Sequence, residues 1–292
     1  EVLVDYLPEM LRESQRGERD DLIRVPSFGT YFWSFNCIER LPDGRPNPFA
    51  DPRVRRAFAM STSKSSLTEK VRRLGEPVAD TLIPPGSING YDEDRSVSGL
   101  PHDPAAARSL MREAGWENRD DDPALENASG REFPVVEMLC STGSYHEEIA
   151  LAMGAMWEQA LGVRTRVVAK ESKIYKDDLK KGNFMVARGG WYGDYGDPTT
   201  FLDINRTADG NNDRGFSDPV FDALLDEAAE TRDPDQRMAI LERAEKHLIR
   251  EALPVMPVFH YVHSYLWDPD EMEGLTTHPR RTQYLWQIGK RR

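Results

Sequence analysis

Residues 187–202 read ARGGWYGDYGDPTTFL. Arg188 is followed by Gly189 and Gly190, then by Trp191, Tyr192 and Tyr195 interleaved with Asp194 and Asp197. A carboxylate walled by aromatic rings attracts an ammonium group, through a charge-assisted hydrogen bond of roughly 1.5–3 kcal/mol. Trp and Tyr supply flat walls with a polar handle, and glycine lets another backbone approach closely. The apolar run Phe184–Ala187 reads as a strand, so the motif is expected as a loop at its carboxyl end, the usual ligand position in an open α/β sheet. A plain tight turn with both carboxylates in water stands beside that reading. Asp197 favours the turn, because Asp-Pro is a routine turn or helix start.

Other reactive residues carry less. His260 and His263 are three apart on an expected strand, which puts their rings on opposite faces and makes a poor site for one metal. His146 falls in the first turn of a helix that follows a strand, at the same sheet edge as Asp194, and is a binding candidate. The segment Ser141–His146 holds serines near a histidine, but no acid is evident to orient the ring. There is no G-x-S-x-G, no P-loop and no H-E-x-x-H. A hydrolase on this sheet edge stays a rival, and no cofactor or metal is expected. Arg53–Arg56 reads as the solvated face of a helix. Cys37 and Cys140 match no zinc spacing, cannot form a disulfide framework and read as buried thiols.

The chain has 292 residues and a formal net charge of −12. That balance makes a nucleic-acid backbone or an anionic membrane surface a poor partner and helps a cationic ligand. Six Trp, ten Tyr and eleven Phe provide core material for one large domain or two ordinary ones. No apolar run reaches membrane-span length.

The elements that must position these residues follow from periodicity and punctuation. The chain opens on an amphipathic helix in mid-stride, which does not look like a natural start and reads as that of a fragment. Thr30–Asn36 alternates aromatic and polar residues and predicts a strand. A helix is expected from Pro52, burying Val54, Ala57, Phe58 and Leu67. Residues 76–101 are rich in Pro and Gly and predict a long ordered loop. A short helix follows with Asp103 as its cap and Gly115 at its end. Residues 117–132 are acidic and expected as a mobile surface loop. Residues 133–170 predict strand, helix (capped by Ser144) and strand, a crossover with parallel strands. Further helices are expected over 172–182 and after the Asp-Pro pairs at 218 and 233. Strands are expected over 253–267 and 284–289. The class is α/β.

The stretches PFADPRVRRAFAMS, ADTLIPPGSINGY, ARGGWYGDYGDPTTFLD, GNNDRGFSDPVFDALLDEA and LPVMPVFHYVHSYL, in this order and over nearly the whole chain, resemble landmarks of the extracellular oligopeptide- and dipeptide-binding proteins of ABC transporters. The resemblance implies a periplasmic-binding-protein-like clamshell that closes on its ligand. Here it would be mainly one α/β lobe: residues 1–30 end the first lobe, 31–265 form the peptide-binding second lobe, and 266–292 return to the first, with hinge strands near 29–36 and 262–267. It implies that Asp194 pairs with the free α-amino group of a peptide. Trp191 would be the aromatic wall, and the backbone of Gly190 and Tyr192 would pair with an extended peptide like an added strand. Arg188 would meet a carboxylate, His146 would lie near the far end of the peptide and Tyr261 beside its amino end; Asn36 joins the expected site. It further implies a monomer without enzymatic activity, working with ABC permease subunits in the periplasm or outside the cell, with a lipid anchor through a preceding segment. Two departures stand out. Thr62-Ser63-Lys64 replaces an acid followed by a basic residue, and Ser172 stands where peptide binders can place a pocket tryptophan. A binder of a sugar or metal complex in the same family is the other rival, and Asp194 argues against it.

Overall fold

The computed structural model describes residues 2–118, 125–143, 145–279 and 283–291. Its centre is a five-stranded sheet in the order β3-β2-β4-β1-β5. The strands are β1 (Leu22–Phe35), β2 (Val136–Ser141), β3 (Thr165–Lys170), β4 (Val186–Tyr192) and β5 (Val255–Leu266). β2 runs parallel to β3 and β4, whereas β1 is antiparallel to β4 and β5. The helix α5 (His146–Leu161) joins β2 to β3, so the expected parallel crossover is present. Ser144, the expected cap of that helix, lies outside the described residues, as does 119–124 of the acidic loop.

β1 is buried on both faces, which the alternation of its residues did not suggest. Tyr31, Trp33 and Phe35 enter one core, Phe28 and Phe32 the other. The polar members Thr30 and Ser34 are buried too. Thr30 is affordable there because its hydroxyl donates to the Leu82 carbonyl (2.7 Å). The first face is covered by α2 (Pro52–Met60), α4 (Pro104–Glu113) and α5. Phe58, Trp157 and Met153 fill it, and the Trp157 indole donates to the Phe58 carbonyl (3.0 Å) and the Thr62 hydroxyl (2.9 Å). The turn α3 (Lys64–Ser66) follows α2. The second face is covered by α6 (Ser172–Lys180), the turn α7 (Thr199–Leu202), α8 (Pro219–Glu230) and α9 (Pro234–Lys246). The helix α1 (Val2–Gln15) packs through Leu11 on Leu22 and Leu74.

Residues 76–101 are an ordered loop, as expected, and the device that orders them is Glu245 on α9. Its fully buried carboxylate accepts from the amides of Leu82 (2.6 Å) and Ile83 (2.9 Å) and from the Tyr91 hydroxyl (2.5 Å). Burial nevertheless drives its pKa up to about 7.

Two sequence expectations fail here. Arg55 is not on a solvated face: it is buried, and its guanidinium donates to the carbonyls of Ala252 (2.8 Å), Phe49 (2.6 Å) and Ala50 (3.0 Å). Near the carboxyl end, Leu285–Gln287 is a 3-10 turn. Only Gly289–Lys290 (β7) is strand, pairing with Met272–Glu273 (β6).

Candidate functional site

The motif around Trp191 begins as strand. β4 continues past Ala187 to Tyr192, through both glycines. Those glycines, and Gly193 just after the strand, are demanded by rings on β1 and β5. A Cβ on Gly189 would lie 2.3 Å from the Phe32 ring, one on Gly190 2.5 Å from the Tyr261 hydroxyl, and one on Gly193 2.1 Å from the Phe28 ring. The room that glycine leaves on the faces of β4 is therefore filled by the protein's own aromatics.

The edge of β4 is different from its faces. β2 accompanies β4 only at Val186 and Ala187. On the other side β1 pairs with β4 from Phe35 to Gly29, and the Gly193 amide donates to the Phe28 carbonyl (2.8 Å). Strand alternation then aims the backbone of Ala187, Gly189 and Trp191 at β1 and that of Arg188, Gly190 and Tyr192 the opposite way. The Tyr175 hydroxyl of α6 takes the Arg188 carbonyl on that outer edge.

One face of this edge carries an aromatic cluster with cations beside it. Tyr192 stacks on Tyr261 (4.7 Å, 14°), and Tyr31 stacks on Phe259 (4.5 Å, 5°) and on His146 (5.6 Å, 20°). The Arg188 guanidinium lies 5.6 Å from the Tyr31 ring centre, with its Nε buried and unpartnered. Arg72 lies over Tyr145 (3.3 Å) and bonds Glu76 (2.5 Å). His146 is buried, with Nδ1 3.3 Å from the Tyr31 hydroxyl. Burial, then the charges of Arg188 and Arg72, lower its pKa to about 3, so the ring is neutral at physiological pH. The opposite face carries Trp191, half-buried against the second core, with its indole N–H unpartnered.

The loop after β4 separates its two aspartates. Asp194 is exposed, and its amide donates to the Thr200 hydroxyl (2.9 Å). Asp197 grips Arg237 of α9 with both oxygens (2.7 and 2.9 Å) and accepts from the Thr199 amide (3.1 Å). Burial alone would raise its pKa, but those hydrogen bonds outweigh it and leave the carboxyl lowered. Asp197 thus closes the loop, as the Asp-Pro pair suggested. Asp197→Asn is expected to cost about 1–2 kcal/mol of stability in urea unfolding; an unchanged midpoint would contradict the role.

Asn36 is a correction. It is fully buried, donates to the carbonyls of Gly182 (3.0 Å) and Phe184 (2.9 Å), and accepts from the Ile38 amide (3.1 Å). Both hydrogens of its amide are spent inside the fold, and none of its surface is exposed to a ligand. Sequence reading also missed Tyr175, whose only signal was its place on the apolar stripe of α6, and Arg72, which reads as one more helical charge. His260 and His263 part as expected. His260 bonds the Thr30 hydroxyl (2.8 Å), and His263 bonds that of Ser27 (3.0 Å). Among the described residues no cluster of His, Cys, Asp or Glu could hold a metal ion.

The buried histidines make a pH prediction. Burial, then the Lys64 charge, lowers the pKa of His260 to about 3. A depressed histidine adds stability that is complete above its ordinary pKa of about 6.5 and is lost as pH falls toward 3, at up to about 1.4 kcal/mol per pH unit for each ring. Glu245 acts in reverse. Its raised pKa means stability is gained as pH falls from about 7 through its ordinary value near 4.5. The two effects oppose each other between pH 6.5 and 4.5; below 4.5 the histidine loss continues unopposed, and lowered carboxyls such as Asp197 begin to add to it. Urea midpoints should therefore fall most steeply between pH 4.5 and 3, and less steeply in His260→Gln. Equal slopes in both proteins would contradict it.

The family model of bacterial extracellular solute-binding proteins, family 5 Middle, matches residues 2–213. The chain is 31% identical to the periplasmic murein peptide-binding protein MppA of Escherichia coli K12 over 247 residues, 84% of this chain and 42% of that protein. It is 28% identical to the oligopeptide-binding protein OppA of Bacillus subtilis 168 over 260 residues, 88% of this chain and 45% of that one. The chain thus spans less than half the length of these curated relatives. It superposes with a TM-score of 0.76 and 26% identity on the crystal structure of a periplasmic oligopeptide-binding protein from Borrelia burgdorferi, covering 97% of this chain and 52% of that one.

Proposed function

The chain belongs to the bacterial extracellular solute-binding proteins of family 5, and on that premise we propose that it provides the peptide-binding face of a two-lobed protein that captures peptides and delivers them to an ABC importer. The observation that carries this reading is the early departure of β2. It leaves β4 at Ala187, while β4 runs on to Tyr192 with the Gly190 backbone aimed at the vacated edge. An extended peptide can continue the sheet there, its main chain held by hydrogen bonds that do not depend on its sequence. Asp194 takes the α-ammonium, Trp191 and Tyr261 wall the amino end, and the backbone of Tyr192 follows that of Gly190. Arg188 supplies a cation for the peptide carboxylate. His146, neutral and buried behind Tyr31, shapes the far wall rather than donating charge.

In this reading residues 31–265 are the second lobe, with 1–30 and 266–292 belonging to the first. β1 and β5 are the hinge; their pairing is irregular between Pro26 and Thr30, where a proline lacks an N–H and the register shifts. The protein is a monomer that works in the periplasm or outside the cell, meets permease subunits there and cleaves no bond. The test is a thermal shift of the full-length protein with a mixed tri- and tetrapeptide pool. Its melting temperature should rise with peptide concentration by mass action. A shift with sugars or metal complexes and none with peptides would overturn the proposal, as would release of amino acids from the pool.

A further inference from the structure

A cavity of about 210 Å³ opens beside the outer edge of β4 on the sheet face opposite the tyrosine cluster. Phe32, Tyr175 and Trp191 wall it, and Lys176, Arg188, Asp213 and Arg214 are its charged lining residues. Arg214 is 5% exposed. Among the described residues its guanidinium bonds neutral acceptors: Nη1 donates to the Asn205 side chain and, at 3.4 Å, to the Ile204 carbonyl, and Nη2 donates to the Asn211 carbonyl at 3.5 Å. Its Nε is buried with no partner, and among the described residues no carboxylate forms an ion pair with it. Asp213, the acid of the same cavity, is engaged instead by Lys180 (2.8 Å). A buried guanidinium without a counter-ion is costly, and burial lowers even its pKa to about 10.

We propose that Arg214 makes this cavity a receptor for an acidic side chain of the bound peptide, so that the protein selects peptides with Asp or Glu at one position. The inference rests on the peptide reading above. A peptide paired along β4 sends successive side chains to opposite faces of the sheet. One set meets Tyr192 and Tyr261; the other enters between Tyr175 and Trp191, where Arg214 and Lys176 outweigh the already engaged Asp213. A carboxylate there completes the hydrogen-bonding fork of Arg214. Glutamine has the same shape but brings no charge, so the pair Glu and Gln isolates the effect.

The experiment is calorimetry of the full-length protein with tetra-alanine and with tetrapeptides in which Glu or Gln replaces each alanine in turn. At one position Glu should bind about tenfold or more tighter than Gln. In Arg214→Met that ratio should collapse toward one, and in Arg214→Lys it should persist in part. If Arg214→Met fails to fold, the wild-type ratio and the lysine variant still decide. Tetra-alanine binding with no Glu preference at any position overturns this proposal alone, as does a preference that survives Arg214→Met. Failure of every peptide, tetra-alanine included, overturns it together with the peptide reading.

Discussion

Asp194→Asn in the full-length protein is expected to weaken peptide binding by about 2–5 kcal/mol, thirtyfold or more in affinity. The substitution keeps the shape of the side chain and removes its charge. A peptide α-ammonium enclosed between lobes would still lose its water but would face a neutral amide. N-acetylated peptides should bind wild type poorly, and the Asn variant should no longer distinguish them from free peptides. Asp197→Asn is the control within the same loop, because its carboxylate is committed to Arg237 and Thr199. Calorimetry decides. Equal losses at the two positions, or tight binding of acetylated peptides by wild type, would mean that Asp194 serves the loop and not the ligand.

Arg55→Met is expected to destabilise the fold by about 3–5 kcal/mol, because it takes the donor away from three carbonyls that its buried guanidinium bonds, each worth about 1–3 kcal/mol when unsatisfied. Those acceptors tie α2 to the residues before β5 at Ala252 and to the turn at Phe49 and Ala50. Arg53→Met, two residues away on the exposed side and paired with Asp51 (2.6 Å), should cost roughly 1 kcal/mol or less. Urea midpoints of the two variants measure the difference. A loss at Arg55 no larger than that at Arg53 would contradict the buried role.

These two arginines mark where sequence reading stops. Local rules worked: Asp51, Asp103, Asp218 and Asp233 each precede a proline and each caps its helix. The parallel crossover followed from periodicity, and the separation of Asp197 from Asp194 followed from Pro198. What failed depended on distant partners. RVRR holds three arginines, yet the helix turns one of them toward carbonyls that lie near it only in the fold. Arg188–Tyr192 reads as a loop because glycines break strands locally, whereas rings from β1 and β5 make glycine the residue that fits there. Asn36 looks like a ligand residue at the end of a strand until the Gly182–Phe184 turn closes on its side chain. Arg214 lies inside the GNNDRGFSDPVFDALLDEA stretch, but nothing in that stretch points to a role for it; what singles it out is its burial without a carboxylate partner among the described residues.

The most direct test of the central claim is amide hydrogen exchange at Gly190 and Gly189 in the full-length protein, with and without a saturating tetrapeptide. Neighbours in one strand, they aim their N–H groups at opposite edges: Gly189 at β1, Gly190 at the side that β2 has left. If the peptide adds as the next strand, the Gly190 amide should slow by at least about tenfold on binding, while Gly189, already in the ladder, changes far less. A peptide that binds tightly and leaves Gly190 exchange unchanged would contradict the account.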